Sequence, residues 1–225
     1  MSAGDLQALV VTLRLAATTT AILLLLGTPL AWWLARTRSR AAAWVDALVA
    51  LPLVLPPTVL GFYLLVLMGP QGALGTALAA LDVQPLVFSF WGLVVASVIS
   101  SLPFMVQPLR DAFAAVGPRL IEAAATLRAS PLDAFFTVAV PLARRGFLSA
   151  ITLTFAHTVG EFGVVLMVGG NIPGATRVLS IAIYDHAESF NRSAAHALAG
   201  GLLMTSFAAL LVLNLTQRRR APGTP

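Results

Sequence analysis

Five long apolar runs, separated by short polar stretches, set the pattern of this chain. They extend over about residues 16–35, 45–68, 86–106, 147–168 and 194–215. A helix crossing a bilayer needs roughly 20 apolar residues, so each run is predicted to be one transmembrane helix. The expected fold is therefore an all-α membrane protein of about five spans. The second run carries Pro52, Pro56 and Pro57 and is expected to kink or break. Membrane helices tolerate this where neighbours satisfy the freed carbonyls. Residues 1–216 are read as one membrane domain and 217–225 as a disordered tail.

Composition agrees with that pattern. Hydrophobic residues make up 58% of the 225 and charged ones only 10%, and the mean hydropathy is +0.89. Soluble domains carry about 25% charged residues, so this chain lacks the surface to be water-soluble. It has no cysteine, which excludes disulfides, thiolate metal sites and cysteine nucleophiles. The net charge of +5 could suggest nucleic acid, but the arginines sit in short loops between spans, where they orient the chain instead. The stretch Met1 to Asp5 has no basic residue and the first run is long enough to span, so no cleavable signal is expected.

With the C-terminus inside, the cytoplasmic side collects Arg36, Arg38, Arg40, Arg110, Arg119, Arg128, Arg144, Arg145, Arg218, Arg219 and Arg220. The outer side keeps Arg14, Arg177 and Arg192. Positive charge is retained inside, so the orientation expected is N-out, C-in.

The polar segment 107–145 is too organised for a mere connection. Leu120, Ala124 and Leu127 fall on one helical face, with Glu122 on the other side. Ser130-Pro131-Leu132-Asp133 reads as a second helix start, with Ser at the N-cap, Pro at N1 and Asp at N3. Phe135, Phe136 and Val140 give that helix an apolar face, and Arg144 and Arg145 are expected to close it. Two short helices on the cytoplasmic side would form a knob for a soluble partner. The bland alternative is an ordinary amphipathic loop helix.

Here the sequence resembles a family. Glu122-Ala123-Ala124, with Val138-Ala139-Val140-Pro141 at the matching distance, is similar to the EAA loop of bacterial ABC importer permeases. That loop typically reads Glu-Ala-Ala, three residues, Gly, nine residues, Ile-x-Leu-Pro. The resemblance implies a type I importer permease fold whose loop docks on ATP-hydrolysing subunits. Val138 and Val140 keep the apolar character of Ile and Leu. Arg128 stands where the family has Gly, and a left-handed helix end there would cost Arg roughly 1 kcal/mol.

Further motifs narrow the resemblance. Gly160-Glu161-Phe162-Gly163 and Gly170-Asn171-Ile172-Pro173-Gly174 resemble permeases for tetrahedral oxyanions, the molybdate and sulfate importers. The stretches 176–184 and 55–63 look most like the molybdate branch. The resemblance implies a second copy of the chain, two ATP-binding subunits, a periplasmic oxyanion-binding protein and a bacterial inner-membrane location. It implies no cofactor in this chain, ATP and Mg being bound by the partner ATPase. No phosphate-binding glycine loop is present, so this chain is not expected to hydrolyse ATP.

A dianion needs hydrogen-bond donors and no fixed negative charge in its immediate path. The spans offer Thr58, Ser97, Ser100, Ser101, Thr152, Thr154 and Thr158. Thr58, Gly61, Ser100, Thr158, Gly160, Glu161 and Gly163 are taken as the candidate gate or path. Glu161 is the awkward member, because a carboxylate in a span is costly and is usually functional or paired. His157, four residues earlier, shares its helical face. The pair is read as structural, as a gate element, or as catalytic groups of an intramembrane enzyme. His186, His196, Asp185 and Glu188 are read as a solvated or interfacial group rather than a metal site. Rival functions are a sulfate/thiosulfate or tungstate permease of the same type and a membrane scaffold or sensor subunit.

Overall fold

The computed structural model describes residues 2–218, so the part of the expected tail from residue 219 on lies outside the described residues. Among the described residues every regular element is helical. Helix α1 spans Ala3–Arg36, about 51 Å at 1.5 Å per residue. It begins well before the apolar run at 16 because Ser2 and Asp5 close a capping box. Asp5 N–H donates to Ser2 Oγ at 3.1 Å and Ser2 N–H donates to Asp5 Oδ2 at 2.7 Å.

The second run is broken, as its prolines predict. Helix α2, Arg40–Val54, stops where Leu55 and Pro56 turn extended, and α3, Pro57–Met68, restarts with Pro at its first position. A short α4, Ala73–Ala79, follows. Helix α5, Phe90–Val116, is capped by Ser89, whose Oγ accepts the Gly92 N–H at 3.1 Å. It ends at Gly117, whose φ of +72° suits glycine. The segment expected as loop from 107 therefore begins inside a helix.

Beyond it lie α6 (Pro118–Thr126), α7 (Pro131–Ala134), a π-helical turn (Phe135–Ala139) and α8 (Val140–Leu142). Arg144 and Arg145 do not close this unit. They open α9, Arg144–Gly160, whose axis is bent 73° from the 131–142 stretch. The fourth run also breaks, at Glu161 and Phe162, before α10, Gly163–Gly169. Helices α11, Leu179–Glu188, and α12, Arg192–Arg218, complete the order.

By length and composition Ala3–Arg36, Pro57–Ala79, Phe90–Val116 and Arg192–Val212 can each cross a membrane. The bent pair Pro131–Leu142 and Arg144–Gly160 supplies a fifth candidate. Four to five spans agree with the expected number.

Helix α5 is the centre, packing against α1, α2, α9 and α10. Gly27 lets α1 close on it, since a Cβ there would meet Met105 Cγ at 2.9 Å. One core cluster gathers Leu34, Val49, Leu109 and Phe113 at the α6 end, and another Leu15, Leu93, Val165 and Ile181 at the α11 end. Helix α12 packs on α11 and α9 and leaves Leu203, Met204 and Phe207 exposed. That surface suits lipid rather than water.

Candidate functional site

The two breaks lie side by side. Helix α3 crosses α10 so closely that a Cβ on Gly61 would meet Met167 Cβ at 2.8 Å and Val164 Cα at 3.1 Å. A Cβ on Gly163 would meet Pro57 Cβ at 2.9 Å and Thr58 N at 3.5 Å. Thr58, Gly61 and Gly163 thus share one crossing, and Glu161 stands two residues before it. Gly160 is exposed, with open space where its side chain would be.

Glu161 is only 7% exposed. Its position at the break explains how a carboxylate is tolerated there: the first turn of α10 has free amides. Val164 N–H donates to Glu161 Oε1 at 3.4 Å, while Oε2 lies 3.6 Å from His157 Nε2. The Glu161 main-chain carbonyl accepts the Ser180 hydroxyl at 2.6 Å, tying the break to α11. The His157 ring stacks on Phe104 at 4.1 Å.

Ser101, rather than Ser100, links α5 to α9. Its Oγ lies 3.0 Å from His157 Nδ1 and 3.0 Å from Thr158 Oγ1. Thr158 also donates to the Thr154 carbonyl at 2.9 Å. Ser100 is buried but bonds only within its own helix, to the Ser97 carbonyl at 3.4 Å. Helical phase decides between the adjacent serines, and their order in the sequence does not reveal it. The relay Ser101–His157–Glu161 has the order of a hydrolase triad. Ser101, however, lies mid-helix, where backbone N–H groups are spent on i−4 carbonyls and form no oxyanion hole. Among the described residues no three His, Asp or Glu side chains converge as a metal would need.

The 118–142 unit forms the knob. Helix α6 ends in a Schellman turn: Arg128 N–H donates to the Ala125 carbonyl at 2.9 Å and Ala129 N–H to the Ala124 carbonyl at 3.1 Å. Arg128 accordingly sits at φ +65°, the left-handed conformation its position predicts for glycine. Ser130 Oγ accepts the Asp133 N–H at 3.1 Å, as the capping pattern predicts. Glu122 and Ala123 are exposed on α6, Ala124 is half-buried, Val138 in the π turn and Val140 just after it are half-buried, and Pro141 is exposed. Leu127, Leu132 and Phe136 present bare apolar surface, at 84%, 71% and 63% exposure.

Phe135 is the anchor that sequence reading placed only on an apolar face. Its ring meets Trp32 at 5.1 Å and Phe113 at 5.9 Å, and Phe113 in turn meets Phe147 at 5.7 Å. Helices α1, α5 and α9 thereby share one aromatic contact with the knob.

Residues 27–220 match the family described as binding-protein-dependent transport system inner membrane component. The chain is 59% identical over 221 residues to the molybdenum transport system permease protein ModB of Azotobacter vinelandii, covering 98% of each chain. It is 35% identical to the putative molybdenum transport system permease protein YvgM of Bacillus subtilis, covering 91% of this chain and 90% of that one. It is 34% identical to the sulfate transport system permease protein CysT of Salmonella typhimurium, covering 86% and 69% respectively. Among solved structures, a chain of a bacterial alginate ABC transporter superposes with a TM-score of 0.75 at 16% identity, covering 100% of this chain and 82% of that one. That likeness concerns the fold.

Proposed function

The chain belongs to the family of binding-protein-dependent transport system inner membrane components, and on that basis we propose that it is the membrane channel subunit of an ATP-driven importer of molybdate. The near-full-length identity of 59% to a molybdenum permease carries this reading. The chain works as a pair of identical subunits with two ATP-binding subunits, which hold ATP and Mg, and receives its cargo from a periplasmic oxyanion-binding protein. It lies N-out, C-in, as the arginine distribution supports.

The knob suits an ATPase partner. Leu127, Leu132 and Phe136 leave apolar surface uncovered beside the acidic Glu122, at the end of the bundle where the arginines gather. Closure of the ATPases on bound ATP draws the two knobs together. Phe135 passes that movement to α1, α5 and α9. The α3–α10 crossing and the Ser101–Thr158 contact are where the spans part to admit the anion. Hydrolysis reverses the motion. Hydroxyls and close backbone suit transient passage of a dianion better than a fixed arginine would.

The sulfate reading is favoured by one observation, the 34% identity to a sulfate permease. Uptake of labelled molybdate into vesicles holding the whole complex, with tungstate and sulfate as competitors, separates the two. ATP-dependent uptake that tungstate suppresses and sulfate leaves intact is the expected result. Uptake of sulfate without molybdate overturns the assignment.

A further inference from the structure

One ion pair joins two helices away from the gate. Arg110, on α5, donates from Nη1 to Asp46 Oδ1 on α2. Its Nε and Nη2 donate to Asp111 Oδ1 at 3.1 and 3.0 Å, a contact within α5 itself. The guanidinium fork is thereby held from one side and offered to α2 from the other. Both partners of the inter-helix pair are partly shielded, with side chains 29% and 41% exposed.

Helix α2 is held along one apolar face, where the half-buried Ala42 and Val45 join Val49 against the core. It packs on α5, and of its described side chains Val49 alone is buried. Yet α2 leads through the break at Leu55 and Pro56 into α3, which carries Thr58 and Gly61 into the crossing with α10. Helix α5 ends six residues beyond Arg110 and runs through Gly117 directly into α6 and the knob. The Arg110–Asp46 pair is therefore the polar tie between the rod that carries the knob and the broken span that carries the crossing.

We infer that Arg110 and Asp46 are positioning residues that couple movement of the knob to the α2–α3 span, so that ATP hydrolysis is matched to passage of the anion. The inference rests on the transport reading above. A pair that merely steadied the fold would be felt as lost stability. A coupling pair is felt as ATP consumed per anion moved.

The test uses the complete reconstituted complex in vesicles, reading ATP hydrolysed per molybdate accumulated, alongside the melting temperature of each purified complex. Asp46→Asn and Arg110→Gln are each expected to raise that ratio roughly 2- to 30-fold, the range of coupling changes for residues between sites, with melting little changed. Asp46→Glu keeps a carboxylate within reach of the fork and is expected to stay near the parent ratio. Asp111→Asn, which keeps an acceptor for the Arg110 fork and discards a charge outside the inter-helix pair, is expected to do the same. A parent-like ratio in Asp46→Asn overturns the inference, as does an equal rise in Asp111→Asn. If Asp46→Asn does not assemble, Arg110→Gln carries the same test from the other partner. Failure of the unaltered complex to accumulate molybdate would instead sink the transport reading itself.

Discussion

Phe135 meets Trp32 edge-on, with ring centroids 5.1 Å and planes 70° apart, and this contact fastens the 118–142 knob to the long first helix. Removing the ring leaves a gap among Trp32, Phe113 and Ala139 that short helices cannot collapse to fill. Phe135→Ala is expected to cost about 2–4 kcal/mol, below the full range for a buried Phe because this one is half-exposed. Thermal melting of the purified protein checks the stability. The same variant should hydrolyse ATP with poor molybdate uptake, and efficient uptake would mean that the aromatic contact transmits nothing.

Arg128 gives a prediction in the opposite direction. At φ +65° its Cβ crowds the backbone, and glycine has no Cβ to crowd. Arg128→Gly is expected to stabilise the knob by about 1 kcal/mol, and Arg128→Val to destabilise it by at least as much. Hydrogen exchange at the Ala129 amide, which closes the Schellman turn, reports this directly. Slower exchange in the glycine variant is the expected sign.

Glu122 stands exposed on α6, with no partner needed to keep it folded. Glu122→Lys is therefore expected to leave melting within about 0.5 kcal/mol of the parent, as surface changes usually do. Coupling should nevertheless fail, because the reversed charge faces the proposed ATPase contact. Normal uptake per ATP after Glu122→Lys would remove that face from the docking site.

These cases show what was legible in the sequence and why. The left-handed turn at 128 was legible through the glycine that the resembled loop carries there, whereas the cap at Ser130 is local and a few consecutive residues revealed it. The break after Leu55 was readable for the same reason, since proline acts on its own helix. The break at Glu161 and Phe162 was not anticipated, although two glycines flanking a carboxylate mark it, because hydropathy averages over the interruption. The start of α1 was missed because the capping box at Ser2 and Asp5 lies outside the apolar run. Ser101 and Phe135 needed the packing of distant helices, which no single-chain pattern contains.

Gly61 tests the crossing itself. A single added methyl would stand 2.8 Å from Met167 Cβ and 3.1 Å from the Val164 backbone, and only the methionine side chain can yield. Gly61→Ala is expected to cost about 1–3 kcal/mol by overpacking and to slow uptake in proportion. Pairing it with Met167→Ala should recover part of both losses. A double variant no better than the single one would show that backbone contact with Val164 is what fails.

Glu161 separates a structural role from a charged one. Its Oε1 accepts the Val164 N–H, and its other oxygen faces His157. Glu161→Gln keeps an acceptor for that amide but discards the charge. Glu161→Leu discards both, leaving a buried N–H unpaired at a cost of about 1–3 kcal/mol. The leucine variant is thus expected to melt early, while the glutamine variant melts near the parent. If the carboxylate serves the gate through His157, Glu161→Gln should still lose uptake, and His157→Gln should lose it to a similar degree. The double variant should then be no worse than either single one, since both changes break one relay. Unchanged uptake in Glu161→Gln, with early melting in Glu161→Leu, would leave the residue as the cap of α10 and nothing more.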